Sequence, residues 1–395
     1  DGGRAVPVLQ AEQTAQRIDP AAAVKVRLCE NKRGGAVYRA SFDLEWSDAM
    51  LWDPDTPYLY MAELELVEGE KVLDRREEMF GFREFWCEGP QFMLNGIPIR
   101  LRGDSWHFQG GLQQTEAYIR NWYRMCRSVG INSIRLHAEP YPEDYVRIAN
   151  EEGMLIIDET AIYGSGKSML ADHPDYLDNC RLHVQRLVKR DKNHPSVIMW
   201  SLQNEMRWVD GRDGYKLHIP GLMEAIRELD ATRPIVAEGD NRLVSKAHTE
   251  VESRHYNIDG TITQWDRLVP LTFGEHGGWW YICPQNASMY AGLQAYRSTD
   301  ESTAGLAQKE RLFVEYARRQ GVSGIATFNF AHYFLRSMPE NDVAVPSSGP
   351  GLPGVKPKVI PAYSLTINNG LLPEHPTYVP NPAFAIMGEA FKPVT

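Results

Sequence analysis

Two glutamates in this sequence stand where a carboxylate is costly. "VIMWSLQNEM" is mostly apolar from Val197 and turns polar at Gln203, Asn204 and Glu205, and "LTFGEHGG" places Glu275 after a second short apolar run. A carboxylate at the end of such a run loses solvation and its pKa rises, whereas one beside an arginine stays ionised. Two carboxylates on separate strands are what hydrolysis of a glycosidic bond requires. One protonates the leaving oxygen while the other attacks or stabilises the anomeric carbon. Arg135 is a candidate for the arginine that keeps one of them charged. Trp106, Trp279 and Trp280 also sit at strand ends and offer flat apolar faces on which sugar rings stack.

Other chemistries find less support. There is no Gly-rich phosphate loop, no serine elbow and no Walker pattern. His107, His137, Asp158 and His255 form a conceivable metal set, but no two of them have HxH or HExxH spacing. The five cysteines lack CxxC spacing, which speaks against a zinc site or a disulfide framework. A sugar-binding module without turnover is the remaining class, and intact Glu205 and Glu275 argue against it.

These residues need elements that converge. From about Gly89, short apolar strands alternate with helices. The strands are "IRLRGDSW", "NSIRLHA", "MLIIDET", "SVIMWSLQNE", "PIVAEGD", "VESRHY", "LTFGEHGG" and "SGIATFNFA". Eight strands in alternation with helices predict a (β/α)8 TIM barrel over residues 89–395, with the connection between the fifth and sixth strands unusually brief. The polar residues at the strand ends would then share one face: Asp104, His107, His137, Asp158, Glu159, Asn204, Glu205, Glu238, His255, Tyr256, Glu275 and Asn329. Asp104, Trp106, His107, His137, Trp279, Trp280 and Asn329 are read as sugar contacts, with His107 and His137 open to a purely structural role. Asp158–Glu159 is open between a role in the site and a buried pair tying strands together, and Glu238 reads as a structural carboxylate. "EAYIRNWYRMCRSVG" puts Ile119, Trp122, Cys126 and Val129 on one helix face and stops at Gly130. Trp86, Trp122 and Trp200 are expected in the core. Residues 1–88 alternate apolar and polar positions between turns, which predicts a small all-β immunoglobulin-like sandwich, whole or incomplete, before the barrel.

The net charge of −10 and a pI of about 5.6 argue against nucleic acid or an anionic membrane as the main partner. No apolar run is long enough for a transmembrane helix. The opening residues lack the features of a signal peptide. The compartment therefore stays open between cytoplasmic and secreted or periplasmic with a signal removed.

"FGFREFWCEGPQFMLNGIPIRLRG", "VGINSIRLHAEPYPEDYVRIANEEGMLIIDE", "RDKNHPSVIMWSLQNE" and "LTFGEHGG" together resemble glycoside hydrolase family 2, and "LWDPDTPYLY" resembles the sandwich that precedes its barrel. That family includes β-galactosidases, β-glucuronidases and β-mannosidases. The resemblance implies a retaining double displacement, with Glu205 as acid/base and Glu275 as nucleophile. It also implies Asn204 on the sugar 2-hydroxyl, Arg135 near the nucleophile and Tyr256 against it. An exo-acting β-galactosidase is the first expectation and a β-glucuronidase the second, with an oligosaccharide or β-glycoside as substrate. No cofactor is expected. A divalent cation stays open, because "IIDETAIYG" lacks the histidine that helps some β-galactosidases bind magnesium. The family's N-terminal jelly roll is not recognisable, so the chain reads as a fragment or a short member whose pocket loops or a second, identical subunit would complete.

Overall fold

The computed structural model describes residues 46–105, 114–163, 173–206, 215–240, 242, 249–257, 260–277, 288, 291–328 and 382–392, and the backbone of 16–18 and 37–39. The chain divides into two compact units, 1–50 and 51–395. In the first, β1 (Gln16–Ile18) pairs antiparallel with β2 (Val37–Arg39).

The second unit opens with a hairpin of β3 (Tyr60–Glu68) and β4 (Lys71–Phe80), which turns at Gly69 with φ 62°. This hairpin lies within the second unit. A three-stranded antiparallel sheet follows, made of β5 (Phe85–Glu88), β6 (Gln91–Leu94) and β7 (Ile97–Ile99). Its second turn is Asn95-Gly96, both at positive φ, as a two-residue hairpin loop requires.

The barrel strands are β8 (Leu101–Ser105), β9 (Ser133–Arg135), β10 (Leu155–Glu159), β11 (Val197–Asn204), β12 (Ile235–Glu238), β13 (Glu252–His255), β14 (Leu271–Gly277) and β15 (Gly324–Phe328). They form one parallel sheet in the order β12-β11-β10-β9-β8-β15-β14-β13, with β15 pairing β8 from Gly324↔Leu101 to Phe328↔Ser105. Every residue of β10, β11, β12 and β15 is buried, as strands covered on both faces should be. Among the described residues no ladder joins β12 to β13, the connection that is brief in the sequence. At the base of this seam the Glu250 amide donates to the Ile235 carbonyl at 3.1 Å.

The helices α1 (Glu116–Ser128), α2 (Glu143–Glu152), α3 (Tyr176–Asp191), α4 (Tyr215–Arg227), α5 (Thr261–Gln264), α6 (Thr299–Arg319) and α7 (Pro382–Phe391) follow in chain order. Thr115 caps α1 by accepting from the Tyr118 amide, and Ile119, Trp122, Cys126 and Val129 are buried as the pattern predicts. Trp200 is also fully inside, while Trp86 is only half-buried. Helix α2 ends at Gly153, φ 68°, against the backbone of Pro54.

Candidate active site

The C-terminal ends of the strands converge around Arg135, at the end of β9. Its side chain is fully buried. Its guanidinium donates to both oxygens of Glu159 at 2.9 Å, to Glu275 Oε1 at 2.9 Å and to Asn204 Oδ1 at 2.6 Å. Ser105 Oγ and the Gly274 carbonyl accept more weakly at 3.3 Å. Alternation along β10 explains the partner: Ile157 and Glu159 face one side and Asp158 the other. Asp158 lies instead against Asp191 at the end of α3, where burial and that neighbouring carboxylate push its pKa well up. The two halves of the Asp158–Glu159 pair thus serve different layers, and only Glu159 belongs to the site.

A similar correction applies to β8. Asp104 is fully buried, its charge is felt by the Cys126 thiol of α1, and its Oδ1 accepts from the Ser105 amide. Ser105 is the residue on that strand that meets Arg135.

Glu275 sits in a cage of donors. Arg135 and His137 Nε2 each lie 2.9 Å from Oε1, and His255 Nδ1 lies 3.6 Å from Oε2. Burial alone would raise its pKa. The His255 charge, the hydrogen bond from His137 and the Arg135 charge outweigh burial and hold the carboxyl well below the usual range. Glu205 lies just past β11 with φ 47°, a left-handed conformation rare for a side-chain-bearing residue and common where function holds strain. Its amide donates to the Glu238 carbonyl, and its Oε1 is 2.6 Å from His255 Nδ1. Carboxylate oxygens of Glu205 and Glu275 and a ring nitrogen of His255 all lie within 4.8 Å of one another.

His255 is visible in the sequence as a strand end and as a member of a metal set, but nothing in the sequence shows it between two carboxylates. A register shift between Arg254 and His255 in the β13–β14 ladder delivers it there. Burial opposes its charge, but Glu275, Glu205 and Glu238 raise its pKa to about 10. Tyr256, the next residue, donates its amide to the Glu275 carbonyl, and its ring lies 5.9 Å from that of His276. Glu238 is fully buried beside the site, accepts from Ser253 Oγ at 2.5 Å and lies 3.6 Å from His255 Nε2.

Glu205, His255 and Glu275 are the one group among the described residues that could surround a cation. The metal set read from the sequence is split, because Asp158 faces the helices. Trp106, His107, Trp279, Trp280 and Asn329 lie outside the described residues.

The model of the TIM barrel domain of glycosyl hydrolases family 2 matches residues 84–325, and a second model of that family matches residues 8–83. The chain belongs to glycosyl hydrolase family 2. A β-galactosidase of Pectobacterium atrosepticum is 32% identical over 299 residues, covering 74% of this chain and 27% of the relative. A β-glucuronidase of Streptococcus agalactiae is 35% identical over 174 residues, covering 40% of this chain and 29% of the relative. The chain therefore spans less than a third of the length of these family members. Among solved structures, a β-glucuronidase of Bacteroides uniformis superposes with a TM-score of 0.62 at 22% identity, over 77% of this chain and 40% of that one. A β-glucuronidase of Dictyoglomus thermophilum gives 0.61 at 22% identity, over 87% and 59%. At such identity these two establish the shared fold. No helix among the described residues is long and apolar enough to cross a membrane.

Proposed function

We propose that the chain carries the catalytic site of a retaining, exo-acting β-glycosidase, with Glu275 as nucleophile and Glu205 as acid/base. The observation that supports this reading is the closeness of the two carboxylates, one oxygen of each lying within 4.8 Å of the other. A retaining site holds its carboxyl groups about 5–5.5 Å apart, while an inverting site needs about 6.5–9.5 Å to admit water.

In the first step a Glu275 oxygen bonds to the anomeric carbon. The bond to the leaving oxygen breaks, and that oxygen takes the Glu205 proton. In the second step water attacks the same carbon, gives a proton to the Glu205 carboxylate and releases Glu275. Both steps balance without a cofactor. Arg135 and His137 keep Glu275 ionised and aimed. Because a guanidinium only donates, the Asn204 contact must be through Oδ1, which leaves the Asn204 amide nitrogen to donate to a sugar hydroxyl.

A β-galactoside is the first substrate, since the relative aligned over 74% of the chain is a β-galactosidase. A β-glucuronide is the second, favoured by the 35% identity to a β-glucuronidase. A panel of nitrophenyl β-glycosides decides between them, with the first-formed anomer followed by NMR. Release of the β-anomer from one sugar is the expected result. An α-anomer as first product, or no cleavage of any sugar in the panel, would overturn the reading.

A further inference from the structure

At the other end of the barrel, where the strands begin, a cavity of about 510 Å³ is lined by Arg100, Arg102, Arg267 and Arg318, with Trp265 and Pro98 among its apolar walls. Arg100 and Arg102 flank the start of β8, Arg267 lies between α5 and β14, and Arg318 is in the last turn of α6. No carboxylate among the described residues lines this cavity.

Each of the four arginines makes a hydrogen bond to a main-chain carbonyl. Arg100 donates to Arg318, Arg102 to Gly130, Arg267 to Gln320 and Arg318 to Ala390. A guanidinium has five N–H donors, so most of this capacity meets no acceptor among the described residues. Acids close in sequence are committed elsewhere: Asp266 pairs with Arg242 and Glu315 with Arg311. Burial and the Arg318 charge depress the pKa of Arg102, and burial and the Arg100 charge do the same to Arg318. Asp55 and Glu315 act on Arg102 and Arg318 in the opposite sense but do not outweigh these effects, so the cluster keeps net repulsion in a chain whose net charge is −10.

The walls say more than the charge does. Trp265 is buried, its indole nitrogen is satisfied by the Val269 carbonyl, and Arg267 stacks 4.8 Å over its ring. A bare oxyanion would leave most of 510 Å³ empty, whereas pockets of about 300–1,000 Å³ with apolar walls and a few polar groups suit small organic molecules. Arginine is also the side chain best shaped to hold phosphate and sulfate oxygens in pairs.

We infer that this cavity binds a small organic phosphate or sulfate ester, with the ester group on the arginines and the organic body against Trp265 and Pro98. The proposal does not depend on the glycosidase reading, because the cavity lies at the opposite end of the strands from Glu205 and Glu275.

Calorimetric titration of the full chain with phenyl phosphate, phenyl sulfate, inorganic phosphate, inorganic sulfate and phenol tests it. These probes carry no sugar for the carboxylate site to take. At least one ester should bind saturably, at least tenfold tighter than its inorganic ion and than phenol, and the preferred ester identifies the group. Arg100 and Arg267 are exposed, so the double variant Arg100→Ala/Arg267→Ala should fold and keep its glycosidase turnover while losing ester affinity at least tenfold. Arg100→Lys/Arg267→Lys should recover part of it. Lack of saturable binding by either ester, equal binding of the inorganic ions or phenol, or ester binding unchanged in the alanine variant would each overturn the proposal.

Discussion

His255 Nδ1 lies 2.6 Å from Glu205 Oε1 and 3.6 Å from Glu275 Oε2, so one imidazole spans both carboxylates of the site. The His255 pKa, about 10 against an ordinary 6.5, is raised in the folded protein. Its charge therefore contributes stability fully below pH 6.5, and that contribution is lost as pH rises through about 10. His255→Gln should be less stable than wild type at pH 6, and the gap should narrow between pH 6.5 and 10. Thermal melts across that range measure it; a gap that widens with pH would refute the assignment. The variant should also lose about 10²-fold in kcat/KM, as removal of a preorganised donor does.

The two glutamates should fail differently. Glu275→Gln removes the nucleophile and should abolish turnover to the limit of detection. Glu205→Ala should lose about 10²–10⁴-fold, and added azide should restore cleavage of activated aryl glycosides as the β-glycosyl azide. Rescue of the Glu275 variant in place of the Glu205 variant would exchange the roles.

Arg135 holds Glu159, Glu275 and Asn204 together in a buried cluster. Arg135→Met leaves two buried carboxylates without their cation, and denaturant unfolding should show a loss of about 3–5 kcal/mol. A smaller loss would mean that the surrounding histidines can neutralise the pair alone.

Gly274 and Gly153 separate function from stability. A Cβ on Gly274 would lie 1.8 Å from Glu238 Oε2, and one on Gly153 would lie 2.0 Å from the Pro54 carbonyl. Both alanine variants should be destabilised by about 1–3 kcal/mol or more. Only Gly274→Ala should lower kcat in protein that remains folded, because the displaced Glu238 borders His255.

Asp158 titrates against the helices, not the substrate. An acid whose folded pKa is raised costs stability as pH climbs above its unfolded value near 4. Asp158→Asn should match or exceed wild type in melting temperature at pH 8, fall behind at pH 4, and leave kcat/KM within about twofold of wild type.

The barrel was legible because its strands are apolar runs that turn polar where they leave the core. That rule located Glu205, Glu275, Asn204 and the neighbourhood of Arg135. It fails where two adjacent residues are both polar, because the run does not say which one faces inward. Asp104 and Ser105, Asp158 and Glu159, and His255 and Tyr256 are such pairs. In each the choice was set by strand pleat and ladder irregularities that depend on neighbouring strands. The arginine cavity was invisible for another reason: its lining comes from separate segments between residue 90 and residue 323 that no spacing connects.

The missing ladder between β12 and β13 gives the site a second duty. Above the Glu250–Ile235 bond, the two edges of the sheet meet through Ser253 and His255 on one strand and Glu238 on the other. Side chains thus do there what peptide groups do around the rest of the cylinder. A clasp made of ionisable groups opens by titration, so a rise in pH that removes the His255 proton should loosen the wall of the barrel itself. Amide exchange in β12 and β13 should then quicken ahead of the other six strands, making the reaction's own proton inventory part of what keeps the vessel shut.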